Sequence, residues 1–308
     1  MKTRKMVIRA DDIGYTDVCN IGTFKAIDAG LVTQMDVMLE CPGSVDAFRR
    51  IRNYPWISMG WHMHFWGSPV LDPREVPSLL AENGHFKQSL AKHTDIEYDE
   101  IYREMDAQMQ RCMEIAGRIP QVSSMYDPGP DATPFQLAAI EICKKYNIHY
   151  GFATRLNKQQ DVDSGRHPAL VQPAREPYRD LDIAQPGPGF AYQGLKDGPL
   201  GSYTQYDPIK NYLIADPDHL AEHRVGFQAW HPGYVDDYIM FDDNPTKPHM
   251  TWNRVIDVEW MTSERAVKAI VENKIELINT MDAIFGTNVY QDHLKEIGSP
   301  LWVGNFAD

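Results

Sequence analysis

Met6-Val7-Ile8-Arg9-Ala10-Asp11-Asp12-Ile13-Gly14 is the stretch from which the rest of the chain can be read. A short apolar run rises from a basic start and ends at two adjacent carboxylates, after which Gly14 opens a turn into a helical pattern. Continuous apolar runs of this length suit parallel strands buried on both faces. In α/β folds, functional groups collect where such strands end, at their carboxyl edge. Two neighbouring carboxylates there repel unless a cation lies between them or one holds a proton. Asp also serves turns and helix caps, so the weight of this pair depends on what the other strand ends carry.

The same strand-then-helix pattern recurs. Residues 17–30 read as a helix with Ile21, Phe24 and Ile27 on one side and Gly30 as its stop, and 32–39 read as a second strand. Residues 44–52 form a helix and 57–62 a third strand, which completes β-α-β-α-β, the pattern of a parallel sheet with outer helices. A long loop over 67–95 holds a short hairpin near Gly84-His85-Phe86. The spacing of Ile101, Met105, Met109 and Met113 predicts a helix over 98–116, closed by Gly117. Residues 121–125 form a strand that enters Tyr126-Asp127-Pro128-Gly129-Pro130, followed by a helix over 134–146 and a strand over 149–153 that ends at Thr154-Arg155. Residues 156–217 read as an irregular insertion over one face, with too few periodic apolar positions for a core of their own. A strand over 225–230 runs into His231-Pro232-Gly233-Tyr234, and 235–260 read as another loop. A helix over 263–272, a strand over 275–278 and a closing helix from Met281 complete the chain. The expected architecture is one α/β domain over 1–308, a distorted (β/α)-barrel with long insertions at its carboxyl rim.

Composition removes several function classes. At 308 residues, 43% hydrophobic and 24% charged, the chain has the make-up of a globular domain. A net charge of −13 without any basic run argues against nucleic acid or an anionic membrane as partner. The start has no apolar signal segment, and no stretch approaches the 18 apolar residues of a membrane span. Cys19, Cys41, Cys112 and Cys143 lack Cys-x-x-Cys spacing, so buried free thiols in a cytoplasmic protein are expected.

Four strand ends carry chemistry-bearing groups: Asp11 and Asp12, His62 and His64, Tyr126 and Asp127, and His231. In a curled parallel sheet these ends converge on one rim, and histidines and carboxylates from separate strands suit a divalent ion.

In these segments the chain resembles the YdjC-like carbohydrate deacetylase family. Ile8-Arg9-Ala10-Asp11-Asp12-Ile13-Gly14 is similar to that family's N-A-D-D-F-G, and Gly60-Trp61-His62-Met63-His64-Phe65 to its G-L-H-L-N-L. Ser78-Leu79-Leu80, Gly84-His85-Phe86, and Glu104 with Gln108 follow in the family's order, and His231-Pro232-Gly233-Tyr234 is similar to its H-P-G-Y. The resemblance spans nearly the whole chain outside about 156–217. It implies a barrel-like hydrolase that removes an acetyl group from an N-acetylated sugar with one divalent metal ion, Mg or Zn. Carried over residue by residue, it makes Asp11 the general base, Asp12 and His62 metal ligands, and His231 the acid that protonates the departing amine. Two departures stand out. Where the family reads P-T-H-x-D-S-H-x-H, this chain has Pro120-Gln121-Val122-Ser123-Ser124-Met125-Tyr126-Asp127, without the third ligand histidine, and His64 replaces an Asn.

The missing ligand has three candidates. Tyr126 falls where the histidine is lost, but a phenol with a pKa of about 10 is a costly ligand. Asp127 is ionised, yet it precedes Pro-Gly-Pro and also reads as a turn residue. His64 lies two residues after His62, on the same side of a continuing strand, so the expected ligand set is Asp12, His62 and His64, with Asp127 the second choice. Arg155, Tyr126, Trp61 and Tyr234 are the expected sugar contacts, and Phe65, Trp66, Trp230 and Tyr238 add rim aromatics. Two rival readings remain at this point. One is an amidohydrolase-like metal barrel, suggested by His62-x-His64, although that pair belongs on a first strand. The other is a sugar-binding protein without catalysis, suggested by the lost histidine. The expected partner is an N-acetylated carbohydrate, and a homo-oligomer stays open.

Overall fold

The computed structural model describes residues 3–123, 125, 131–155, 178–186, 206–241 and 252–306. Its axis is β1, Arg4–Ile13, in which every residue from Met6 to Ile13 is buried. One edge of β1 pairs with β8, Val225–Trp230, setting Met6 to Ala10 opposite Gly226 to Trp230. The other edge pairs first with β9, Ile275–Leu277, and then with β2, Gln34–Val37. Outward from β2 follow β3 (Ser58–Trp61), β4 (Val122–Ser123) and β5 (His149–Tyr150). Outward from β8 follow β7 (Ile183–Gln185) and β6 (Thr154–Arg155). All of these pairings are parallel. The ends of the path, β5 and β6, are consecutive in the chain with only residues 151–153 between them, so the sheet curls until one short segment carries both of its edges. This is the expected distorted (β/α)-barrel.

The helices are α1 (Asp17–Asp28), α2 (Ser44–Ile51), α3 (Tyr98–Ala116), α4 (Pro134–Lys145), α5 (Asp237–Phe241), α6 (Trp252–Met261), α7 (Glu264–Glu272), α8 (Thr280–Phe285) and α9 (Val289–Glu296). Local chemistry sets their ends. The Thr16 hydroxyl accepts from Cys19 N at the start of α1, Thr133 and Gln136 cap α4 reciprocally, and Gly117 closes α3 at φ 72°. Cys19, Cys41, Cys112 and Cys143 stand as buried thiols.

Several expectations need correction. Ile21, expected inward, is 50% exposed, because α1 packs through Gly22, Thr23, Phe24 and Ala26 instead. A Cβ on Gly22 would lie 2.5 Å from Tyr234 N, so the helix sits directly on the backbone that follows His231. Met113 likewise faces outward while Met105 and Met109 are buried. The segment read as a loop over 235–260 contains α5 and α6. Inside the segment read as an irregular insertion, Ile183–Gln185 is a strand of the sheet itself.

Candidate active site

On a regular strand Asp11 and Asp12 would face opposite sides. Asp12 instead adopts φ 61°, and the pairing of β1 with β2 shifts register between Ala10 and Ile13. Asp tolerates this left-handed backbone better than most residues. The bulge turns both carboxylates toward the same rim: His231 Nε2 lies 3.6 Å from Asp11 Oδ2 and 4.0 Å from Asp12 Oδ2.

β3 delivers the histidines. His62 N continues the ladder by donating to Val37 O, and its Nε2 lies 2.8 Å from Asp12 Oδ1. His62 Nδ1 faces Asp36 Oδ2 at 3.7 Å. Asp36 sits on β2 opposite Gly60, and only glycine fits there, since a Cβ would come within 1.8 Å of Asp36 Oδ1. His64 follows as the half-exposed member, with Nε2 4.0 Å from Asp12 Oδ1 and its ring stacked on Trp66 at 4.2 Å.

Two buried guanidinium groups complete the centre. Arg9 grips Asp11 with Nε to Oδ1 at 2.5 Å and Nη2 to Oδ2 at 2.9 Å, and its Nη1 lies 3.3 Å from Asp36 Oδ2. From α6, Arg254 Nη2 donates to Asp12 Oδ2 at 2.5 Å. One turn on, Asp257 accepts from His231 N at 3.0 Å, from the Tyr206 hydroxyl at 2.9 Å and from Trp260 Nε1 at 3.1 Å, tying α6 to the His231 turn.

Burial and these contacts divide the charges. Burial pushes the Asp11 carboxyl up, and Arg9 and His62 offset this only in part. For Asp12 burial acts the same way, but Arg254, His231 and His62 outweigh it and hold the carboxyl well below the usual range. Burial opposes a charged His62 ring, yet Asp11, Asp12 and Asp36 together raise it to about 10. Desolvation, with Arg254, His62 and Arg9 beside it, lowers the His231 ring to about 3 against the pull of Asp12.

The structure brings together Asp11, Asp12, His62, His64 and His231. One ligand atom from each of Asp12, His62 and His64 lies within 4.8 Å of the others, a carboxylate–imidazole donor set suited to a divalent ion. Trp61 is fully buried in the core, where packing and not a sugar takes its surface. Tyr234 is half-buried, with its hydroxyl 3.3 Å from Lys25 Nζ. Arg155 lies on β6, its backbone opposite Gln185. Tyr126 and Asp127 lie outside the described residues. Sequence reasoning missed Arg9, Asp36, Arg254 and Asp257 as parts of the centre. The signal was a charged residue inside each of two apolar strand runs, and an i, i+3 pair in a segment read as loop.

Fold and site together define a (β/α)-barrel-like protein with a carboxylate–histidine centre at its carboxyl rim. The chain belongs to the YdjC-like protein family, whose model matches residues 5–272. It is 25% identical to a carbohydrate deacetylase of Enterococcus faecalis (strain ATCC 700802 / V583), an alignment covering 91% of this chain and 98% of that protein. It is 30% identical to a carbohydrate deacetylase of Brevibacillus brevis, covering 89% and 97%. Among solved structures, a putative cellobiose-phosphate cleavage protein from Enterococcus faecalis V583 superposes with a TM-score of 0.63 at 22% identity, over 91% of this chain and 99% of that one.

Proposed function

We propose that this protein is a zinc-dependent carbohydrate deacetylase that hydrolyses the acetamido group of an N-acetylated sugar. The observation that carries the reading is the convergence of Asp12, His62 and His64 beside Asp11 and His231 on one rim, in a chain whose curated relatives are named carbohydrate deacetylases. Two imidazoles and one carboxylate favour zinc over magnesium, which prefers an oxygen-only shell with several waters. When bound, the ion polarises the acetyl carbonyl and lowers the pKa of a water. Asp12 presents Oδ1 to the histidines while Arg254 holds Oδ2, so the carboxylate is fixed in one orientation. Asp11, held in place by Arg9, takes the proton of the attacking water at Oδ2. His231 Nε2, 3.6 Å away, relays that proton to the nitrogen of the leaving amine. The C–N bond then breaks to give acetate and a free amine, which a neutral or acidic donor must protonate because an amide anion is too poor a leaving group. Trp66, stacked on His64, offers a rim aromatic on which a sugar ring would pack.

The test strips the purified protein of metal, adds back zinc, and measures bound ion and acetate released from an N-acetylated oligosaccharide. The expected result is about one zinc per chain and zinc-restored acetate release, with His64→Asn losing the ion. Full zinc retention in His64→Asn, or acetate release indifferent to metal, overturns the assignment.

A further inference from the structure

Ser78-Leu79-Leu80, Gly84-His85-Phe86, Glu104 and Gln108 stand outside the centre described above, yet they meet on the loop that leaves β3. Glu104, on α3 and fully buried, accepts from Val70 N at 2.9 Å and from Leu71 N at 3.1 Å, and Gln108 one turn on donates Nε2 to it at 2.9 Å. One turn earlier, Glu100 accepts from Ser78 N at 2.8 Å, so successive turns of α3 hold one stretch of chain. Phe86 N donates to Gly67 O at 3.3 Å. At the near end of the loop, Glu40 is buried and accepts from Trp66 N at 3.2 Å. A buried carboxylate is costly unless hydrogen bonds satisfy it, and such charge-assisted bonds are stronger than those between neutral groups. Glu104 makes these bonds to the backbone of the loop.

We propose that Glu104 is a positioning residue of the reaction: from α3 it ties down the loop so that Trp66 stays against the His64 ring and holds that imidazole toward Asp12. The inference rests on the metal reading given under Proposed function. His64 lies beyond the last residue of β3, where the ladder no longer sets the direction of a side chain, and its ring is 40% exposed. Trp66 lies on it at 4.2 Å with the ring planes 9° apart. Phe65, between the two, is held at φ 56°, a left-handed conformation that is costly for a bulky residue. It persists because both flanks are fixed. The Phe65 ring packs against Phe86 and Phe135 at 5.0 Å each, and a Cβ on Gly67 would lie 2.5 Å from Glu40 O, which leaves the loop no slack on that side. The far flank is the one that Glu104 grips at Val70 and Leu71. Release of that grip frees Phe65 to relax, and Trp66 then slides off His64.

Zinc affinity, and kcat/KM for acetate released from N,N′,N″-triacetylchitotriose, are measured for full-length wild type, Glu104→Gln, Trp66→Ala and the double variant. Each single variant is expected to lose about tenfold in both measurements. The double variant is expected to lose no more than either single one, because both substitutions act through the same contact. Losses that multiply to about a hundredfold overturn the inference, since a Glu104 that only stabilises the fold adds its effect to that of Trp66→Ala. Wild-type zinc affinity in a folded Glu104→Gln or in Trp66→Ala overturns it as well. If Glu104→Gln does not fold, Gln108→Leu, which removes the hydrogen bond that orients the carboxylate, enters the same cycle, and wild-type zinc affinity in that variant is equally fatal. Wild type that binds no zinc sinks the metal reading and this inference with it, whereas multiplied losses sink this inference alone.

Discussion

The two oxygens of Asp12 face different partners: Oδ1 lies 2.8 Å from His62 Nε2, and Oδ2 lies 2.5 Å from Arg254 Nη2. Asp11, its chain neighbour, is held by Arg9 and contacts His231. Identical side chains one residue apart thus sit in opposite electrostatic settings. Asp12 is driven toward its anion, and Asp11 is raised by burial and readier to accept a proton. Asp11→Asn keeps the shape and removes the basic oxygen. It is expected to lower acetate release by roughly 10²–10⁴-fold while zinc content stays at the wild-type level. Loss of the ion in this variant would exchange the roles of the two residues.

At the level of elements, the packing of α1 against the turn after His231 controls where that ring sits. Gly22 lies under Gly233 and Tyr234, with backbone atoms 2.5–2.9 Å from where a Cβ would be, and the Thr23 hydroxyl donates to Pro232 O at 2.5 Å. Helix propensity alone predicts that Gly22→Ala stabilises the protein by about 1 kcal/mol. The clash is with backbone, which cannot move aside cheaply, and overpacking of this kind costs about 1–3 kcal/mol. Set against the propensity gain, the packing cost leaves a net loss of up to about 2 kcal/mol, so Gly22→Ala is expected to lower Tm by up to about 3 °C and to reduce acetate release by displacing His231. A rise in Tm, measured by scanning calorimetry, would show that propensity decides here.

Across the whole molecule, the charged groups at the rim are tied together through α6, which supplies both Arg254 to Asp12 and Asp257 to the backbone of His231. Burial raises Asp257 to about 7, against the hydrogen bonds and Arg254 that would lower it. An unfolded chain releases this proton near pH 4. Between about pH 4 and 7 the folded state therefore holds a proton that the unfolded state has lost, and stability from this group falls as pH rises through that window. Asp257→Asn is expected to flatten the decline in Tm between about pH 4 and 7, and an unchanged decline would remove Asp257 as its cause. Among the described residues, no helix is long and apolar enough to cross a membrane.

The sequence alone determined the alternation of strands and helices, because burial on both faces demands continuous apolar runs and that demand is local. Residues 225–230 and 98–116 were legible to the residue, as Val225–Trp230 and Tyr98–Ala116. It also placed Asp11, Asp12, His62, His64 and His231 at strand ends, since the end of a run is visible without knowing what it faces. Only the tertiary structure decided what lies opposite them. The bulge at Asp12 depends on how β1 meets β2, so no rule of alternation could reveal that both carboxylates share a rim. Arg254 reaches Asp12 across 242 positions of sequence, from a segment whose helical period was hidden among aromatic and acidic residues. The orientation of α1 was misread for a related reason: its inward face is set by small residues that let backbone approach backbone, a contact that hydrophobic periodicity does not record.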